Sequence, residues 1–584
     1  MLAGAAARNP WLFGPLPDLL LGCGGAYLLV FLALGAAPDW IEAQLPIGLV
    51  ALPILALSVP HYGATLLRVY ERAEDRSAYR FFAVWSTLPI ALWFLAGVRD
   101  ETIGSALVTL YLTWNPWHYS GQNYGLALLL LGRRGVAIER TTKRWLYASF
   151  VLSFALVFVA AHSEGASAAY APGSLSGVSY RFLRLGIPAP VAAWLALGAM
   201  AGYAVSLLAV VSALRRAAPW RDLAPALCVI ALQALWFSLP VISRATGWLD
   251  HYAPFDATRL EYSFLWVAIA HAVQYLWVTT YFARRTGAAP RSPTYLLKCL
   301  IAGSAVWGVP TLLFGPDLLG VRAFDAGHAL LAAATVNVHH FVLDGAIWKL
   351  RDGRIARILL RPRAANVELA PARRGLGPLG ALVGVAGVAY VVTTVVGAIE
   401  GEYGVRRASN PPDFARLRVA AERLRWVGRD EPSLRYNLAM HELRENHLEL
   451  ARRDLERSLA LQRSEHAWLA LGVVHQRSRE WHEALRAYDA ALGLDPANVA
   501  AWSRKSQIYV QLGDPVHARE ALERALELAP ERIDLQRRLA ELASGETARS
   551  ERKRSGAQRG EAERRSHGLA SEVQEGSPGS RNSS

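Results

Sequence analysis

Cysteine is almost absent from this 584-residue chain, with three residues in all, Cys23, Cys228 and Cys299, and none after position 400. No disulfide framework can therefore hold the last third together. Charge is scarce as well. Asp, Glu, Lys and Arg make up 19% of the chain against 53% hydrophobic residues, and the mean hydropathy is +0.19. That balance excludes a disordered chain and is too apolar for an ordinary soluble one. The scarcity is uneven. Residues 1–400 hold 31 Lys/Arg and 20 Asp/Glu, while residues 401–584 hold 31 and 28. The first part reads as membrane and the second as soluble. The pI near 9.8 does not point to nucleic acid, because most basic residues of the first part sit in short loops between apolar runs.

A helix crossing ~30 Å of hydrocarbon needs about 20 largely apolar residues. About eleven such runs occur, near 18–37, 46–68, 80–98, 103–132, 145–162, 190–214, 222–242, 260–283, 294–314, 323–350 and 376–399. None alternates every second residue, so barrel strands are excluded and the runs are expected to be helices. The connecting loops alternate in charge. Loops after the even-numbered runs, together with Arg8, carry 25 Lys/Arg, and those on the other side carry six (Arg99, Arg181, Arg184, Arg244, Arg259, Arg322). The positive-inside rule then puts the N-terminus in the cytoplasm and, with an odd number of spans, everything after about residue 400 outside. Leu20-Leu21-Gly22-Cys23 has the look of a lipoprotein cleavage box, but Pro15, Pro17 and Asp18 break the apolar run before it. Cys23 reads as an ordinary intramembrane cysteine.

The soluble third repeats. Trp468 recurs 34 residues later as Trp502, Ala484 as Ala518, Ala491 as Ala525 and Pro496 as Pro530. Trp468, Leu471, Gly472, Trp481, Ala484, Tyr488, Ala491 and Pro496 fall at tetratricopeptide spacing, where small residues let two antiparallel helices approach and proline stops the second. An earlier unit with Leu438, Ala439, Ala451 and Leu455 fits at a spacing of 33. The segment resembles the tetratricopeptide-repeat family over 432–532, and the resemblance implies an α-solenoid whose concave face takes a protein or peptide partner. His475 and Arg479 stand where the family usually has Tyr and a small residue. The expected architecture is all-α: a polytopic membrane domain (1–400), a linker and flanking helix (401–431), the repeat domain (432–543) and a disordered tail (544–584).

Ionisable groups inside spans are costly and rare, so each is a functional candidate. Five histidines lie deep in the apolar runs: His61, His118, His271, His339 and His340. The topology above runs their four helices in the same direction. At about 1.5 Å per residue, His61 and His118 lie roughly 22 Å from the outer ends, His271 about 16 Å and His339 about 24 Å. Four helices thus bring imidazole to one layer, in the cytoplasmic half. His339 and His340 are about 100° apart on their helix and cannot face inward equally. Gln122, Gln274 and Asp344 follow His118, His271 and His340 at helical spacing and are candidates to support the ring nitrogens. Neutral imidazole with one carboxylate suits iron, zinc or copper, and thiolates are missing from the cluster. A proton relay and plain interhelical hydrogen bonds are the alternatives. Pro60 before His61 and Asn115-Pro116 before His118 are expected to kink the helices and open space beside the rings. His162, His251 and His328 read as interfacial.

The Pro-His-Tyr-Gly and Trp-His-Tyr segments, with later histidines on separate spans, resemble the bacterial membrane dioxygenases that cleave β-carotene (the Brp/Blh family). In that family membrane-embedded histidines hold a non-haem iron acting on a carotenoid. The resemblance implies a ligand role for His61, His118, His271 and one of His339/His340. The chain departs from the family at Tyr62, which interrupts its Pro-His-Gly, at a missing Asp, in having more spans and in carrying tetratricopeptide repeats. The desaturase and hydroxylase class uses His-x-x-His-His boxes, which do not occur here. The leading expectation is an iron-dependent membrane oxidoreductase or oxygenase acting on an apolar lipid or isoprenoid. A lipid-linked sugar transferase with a repeat tail is a second reading, although the first outer loop offers only Asp39 and Glu42 for a sugar site. A scaffold without chemistry is a third.

Overall fold

The structure is a computed structural model describing residues 10–71, 75, 78–164, 180–249, 251–256, 260–286, 291–314, 326–348, 353–360 and 377–544. Most of the tail expected to be disordered lies outside these residues, as do most of the basic residues between Lys349 and Arg374 and the side chains of Glu261 and His328. Among the described residues the regular structure is all helical, with only two isolated bridges, Ser163 to Ile187 and Ser409 to Pro412, in place of any strand. It divides into two compact units, Met1–Asp430 and Glu431–Ser584.

In the first unit each apolar run is helical over most of its described length. Five helices are long and apolar enough to cross a membrane by length and composition: Arg140–His162, Ala189–Ala217, Trp220–Thr246, Leu330–Ile347 and Gly380–Arg406. The bent pair Pro15–Gly22 and Gly25–Ala36, which meet at 57°, makes a sixth if counted as one span, and Phe81–Gly97 is apolar but shorter. The burial of these helices sorts them into layers. The Leu330–Ile347 stretch is 61% buried, whereas Ala189–Ala217 and Gly380–Arg406 are 22% and 17% buried. The outer helices turn large apolar side chains outward, among them Trp194, Leu208, Leu382 and Val385.

Four helices position the histidines: α1 (Val59–Tyr70), α2 (Glu101–Arg133), α3 (Leu260–Arg285) and α4 (Ala326–Ile347). α1 continues from a π-helical turn, Ile54–Ser58, and carries Pro60 as its second residue, so the break that proline makes in the hydrogen-bond ladder falls at this junction. α1 packs against the helix Ser292–Phe314 through two glycines. A Cβ on Gly63 would sit 1.8 Å from the Cys299 carbonyl oxygen, and one on Gly303 2.1 Å from that of Val59. The glycine of Pro-His-Tyr-Gly is therefore a crossing point that sets the depth of α1, and with it His61. Pro116 lies inside α2, as the sequence suggested.

The segment read as linker and flanking helix folds with the first unit. The last apolar helix continues into a π-helical turn, Glu400–Arg406, and the helix Phe414–Trp426 folds back onto it. Buried Glu400 holds that return, accepting from Arg423 at 2.6 Å and from Arg416 at 3.1 Å.

The second unit is three helix pairs, Pro432–Arg444 with Leu448–Leu461, Glu465–Arg477 with Trp481–Leu494, and Val499–Gln511 with Pro515–Leu528, followed by a helix at 533–544. Gly472 is needed for close approach, since a Cβ there would meet the Tyr488 ring at 2.3 Å. Each turn inside a pair passes through the left-handed region, at Asn446 (φ 61°), Arg479 (φ 60°) and Gly513 (φ 76°), which explains why a small residue is usual where Arg479 stands. In the first pair Arg435 occupies the place of Trp468 and Trp502. It is buried against Asp454 at 3.2 Å.

Candidate metal centre

Four of the five histidines converge. One ligand atom from each of His61, His118, His271 and His340 lies within 4.8 Å of the corresponding atom of every other. Ring centroids are 4.3 Å apart for His61 and His340, 4.9 Å for His61 and His271, and 5.0 Å from His118 to both His271 and His340. One ring comes from each of α1 to α4, so the centre exists only when all four helices are in place.

The fifth histidine points elsewhere. His339 Nε2 is 2.8 Å from the Thr87 hydroxyl, which resolves the His339/His340 alternative in favour of His340. The 100° turn between neighbouring residues puts one ring in the cluster and sends the other to the next helix. His162 is also satisfied, with Thr113 at 3.0 Å and the Leu185 N–H at 3.3 Å.

The remaining nitrogens make the chemical argument. His61 Nε2, His118 Nε2 and both ring nitrogens of His271 and of His340 are buried without a hydrogen-bond partner. An unmade hydrogen bond at a buried polar atom costs about 1–3 kcal/mol, so unpartnered nitrogens on four neighbouring rings suit a shared counterpart. A transition metal would take one nitrogen from each ring, four of the six. Nitrogens bound at about 2.1 Å are at most about 4.2 Å apart, so atoms within 4.8 Å of one another would have to draw in to hold an ion. The donor set, all imidazole with a carboxylate beside it, fits iron, copper or zinc.

The groups around the rings differ in part from expectation. Gln122 and Gln274 do not support a histidine ring: Gln122 donates to the His271 carbonyl at 3.0 Å and to Gln274 at 3.3 Å, and Gln274 donates to the Gly22 carbonyl at 3.2 Å. They tie α2, α3 and the N-terminal segment together one layer behind the rings. Asp344 Oδ2 lies 3.9 Å from His118 Nε2, beyond a hydrogen bond but beside the cluster. The rings are held by aromatic faces instead. Tyr119 stacks on His271 at 3.9 Å and 20°, and Phe341 on His118 at 4.5 Å and 26°. Tyr275 packs edge-on to His61 at 4.4 Å, its hydroxyl 2.6 Å from that of Thr65. Tyr62, the residue that interrupts the Pro-His-Gly pattern, donates to Asn337 at 2.8 Å and so joins α1 to α4. These partners follow a histidine by one or four positions, a signal available in the sequence but shared by many aromatic residues of the chain.

A cavity of about 330 Å³ adjoins the cluster, with His118, Asp344 and Tyr275 in its wall beside Trp114, Phe341 and Trp348. The His118 side chain keeps 7% of its surface accessible, whereas His61, His271 and His340 are buried, so His118 is the ring met from the cavity.

Comparison with known protein families bears on the second unit. The tetratricopeptide repeat family matches residues 469–533. Solved structures similar to the chain include that of MamA, at 20% identity over 25% of this chain and 85% of that one with a TM-score of 0.23. YrrB, described as a tetratricopeptide protein with an unusual peptide-binding site, is similar at 18% identity over 26% of this chain and 78% of that one, TM-score 0.22. No curated protein matches the chain. Residues 469–533 thus carry tetratricopeptide repeats, a module for protein interaction.

Proposed function

We propose that the first unit is a metal-dependent oxidoreductase of the inner (cytoplasmic) membrane, with non-haem iron held by His61, His118, His271 and His340. Its substrate is an apolar lipid or isoprenoid taken from the bilayer. The observation that carries this reading is the meeting of four imidazoles from four helices with six unpartnered ring nitrogens among them. The outward apolar side chains of the outer helices suit lipid better than water. About eleven spans with a cytoplasmic N-terminus leave the repeats on the extracytoplasmic side, where they bind a protein or peptide partner. The Pro-His-Tyr-Gly resemblance described above points to the same metal.

Iron bound there supplies oxygen activation, which amino-acid side chains cannot. The residues do the rest. Tyr119 and Phe341 fix the planes of His271 and His118, Asp344 offers a carboxylate next to His118, and the aromatic wall keeps water from the reacting surface. The test is to load the reconstituted protein with ferrous iron and supply an extract of uncharged membrane lipids under isotopically heavy oxygen. Heavy oxygen in one lipid product, missing with His118→Ala, is the expected result. Iron retained with no oxygen consumed would reject the oxygenase reading.

A further inference from the structure

We propose that the cavity beside the histidines binds a single uncharged, elongated apolar molecule that enters sideways from the bilayer, through a mouth formed by Gly121 on α2 and Gly345 on α4. This deepens the reading above and rests on its placement of the first unit in a membrane.

The lining follows one face of α2. Trp114, His118, Gly121, Gly125 and Leu129 recur every three or four residues, the spacing of a single helix stripe. From Trp114 to Leu129 the stripe runs roughly 22 Å along the helix, so the space is long rather than round. Trp114 and Trp117 stand at one end of that stripe, and Ile355 and Leu359 also line the space.

Three glycines shape it. Gly121, Gly125 and Gly345 all line the cavity, and a Cβ built on any of them meets nothing within 4 Å. They differ in this from Gly63 and Gly303, where a Cβ would collide with backbone and the glycine is needed for helix approach. No packing demand explains the three cavity glycines, and helix interiors lose about 0.5–1 kcal/mol for each glycine in place of alanine. They keep space open. Gly121 and Gly345 are also exposed; Gly121 lies in the middle of α2 (Glu101–Arg133) and Gly345 near the end of α4 at Ile347, so the space opens on the flank of the helix bundle at Gly121 as well as near a helix end.

The wall chemistry selects the ligand. Among the described residues no Lys or Arg lines the cavity, and its one charged side chain type is the carboxylate of Asp344. Away from the metal position, a phosphate or carboxylate headgroup would find no basic side chain in the wall and would meet the Asp344 carboxylate. Trp114, Trp117, Phe341 and Trp348 offer flat apolar faces instead. A molecule lying along α2 passes His118, so the part of the chain opposite that ring is the part presented to the metal.

The proposal is tested by photolabelling in proteoliposomes with diazirine-bearing hexadecanol, using diazirine-bearing hexadecanoate as the charged counterpart. Metal content is measured on the same samples. The expected result is saturable labelling of α2 and α4 by the alcohol, competed by plain hexadecanol and weak with the carboxylate. Gly345→Phe fills the space and lowers that labelling about tenfold, and Gly121→Phe is the second variant should the first fold poorly. Gly198→Phe, at another open glycine on the outer helix Ala189–Ala217, leaves it unchanged. Labelling spread evenly over the outer helices and indifferent to either filling variant would overturn the proposal, as would equal saturable labelling by the carboxylate. Labelling as expected in a protein that takes up no metal would leave the pocket standing and remove the metal reading, so the two fail separately.

Discussion

His61 and His340 meet edge to face with their ring centroids 4.3 Å apart, at 74°, and neither His61 Nε2 nor either nitrogen of His340 has a hydrogen-bond partner. Two buried imidazoles gain little from each other in that arrangement. On the proposed reading a metal accepts one lone pair from each, and His118 and His271 bring two more from further helices. Losing any one ring leaves a set of three, which changes affinity more than fold.

The neighbouring histidines give the sharpest contrast. His340→Ala is expected to lower metal affinity by at least the 10–100-fold typical of losing even an outer supporting group. His339→Ala breaks a bond to Thr87 and leaves metal content unchanged. Titrating both variants with metal in detergent checks this, and equal losses would place His339 in the centre.

Gly63 links the depth of α1 to the metal. Gly63→Ala forces backbone apart at the Cys299 carbonyl and is expected to cost about 1–3 kcal/mol. It should also shift His61, two residues earlier, so that metal uptake falls along with the midpoint of thermal unfolding. Gly125→Ala, at a position with open space inside α2, should leave metal uptake unchanged and raise the midpoint slightly, by about 0.5–1 kcal/mol of helix stability.

In the repeat unit Glu480 is held below its ordinary value of 4.5, chiefly by the hydrogen bond from His475 at 2.5 Å and next by Arg452 at 2.8 Å. A lowered folded value means the unfolded chain takes the proton more readily. The contribution is therefore complete above 4.5 and is lost as the pH falls through the lowered value. For a partly solvated pair it is worth about 0–1 kcal/mol. Amide exchange over Glu465–Leu494, corrected for its intrinsic pH dependence, should show protection falling in that acid window, and Glu480→Gln should flatten the dependence.

Much of this was legible in the sequence because two periods carry it. The 34-residue recurrence of Trp468, Ala484 and Pro496 marks the repeats, and the common depth of His61, His118 and His271 marks a layer of imidazole. What was not legible depends on direction and on empty space. Only the helix rotation against Thr87 separates His339 from His340. Gln122 and Gln274 have the right spacing, yet their amides turn to backbone carbonyls behind the rings. The cavity is built by glycines on two helices that are distant in the chain, and a missing side chain leaves no hydropathy signal. Arg435 takes the place of Trp468 because buried Asp454 across the pair supplies its counter-charge, a match no single repeat displays.

The central claim is tested most directly by elemental mass spectrometry of the detergent-purified full chain beside a His118→Ala/His340→Ala variant whose helicity is intact. The account predicts near-stoichiometric iron in the natural protein and its loss in the variant. No transition metal in either protein, even after reconstitution with ferrous iron, would contradict it.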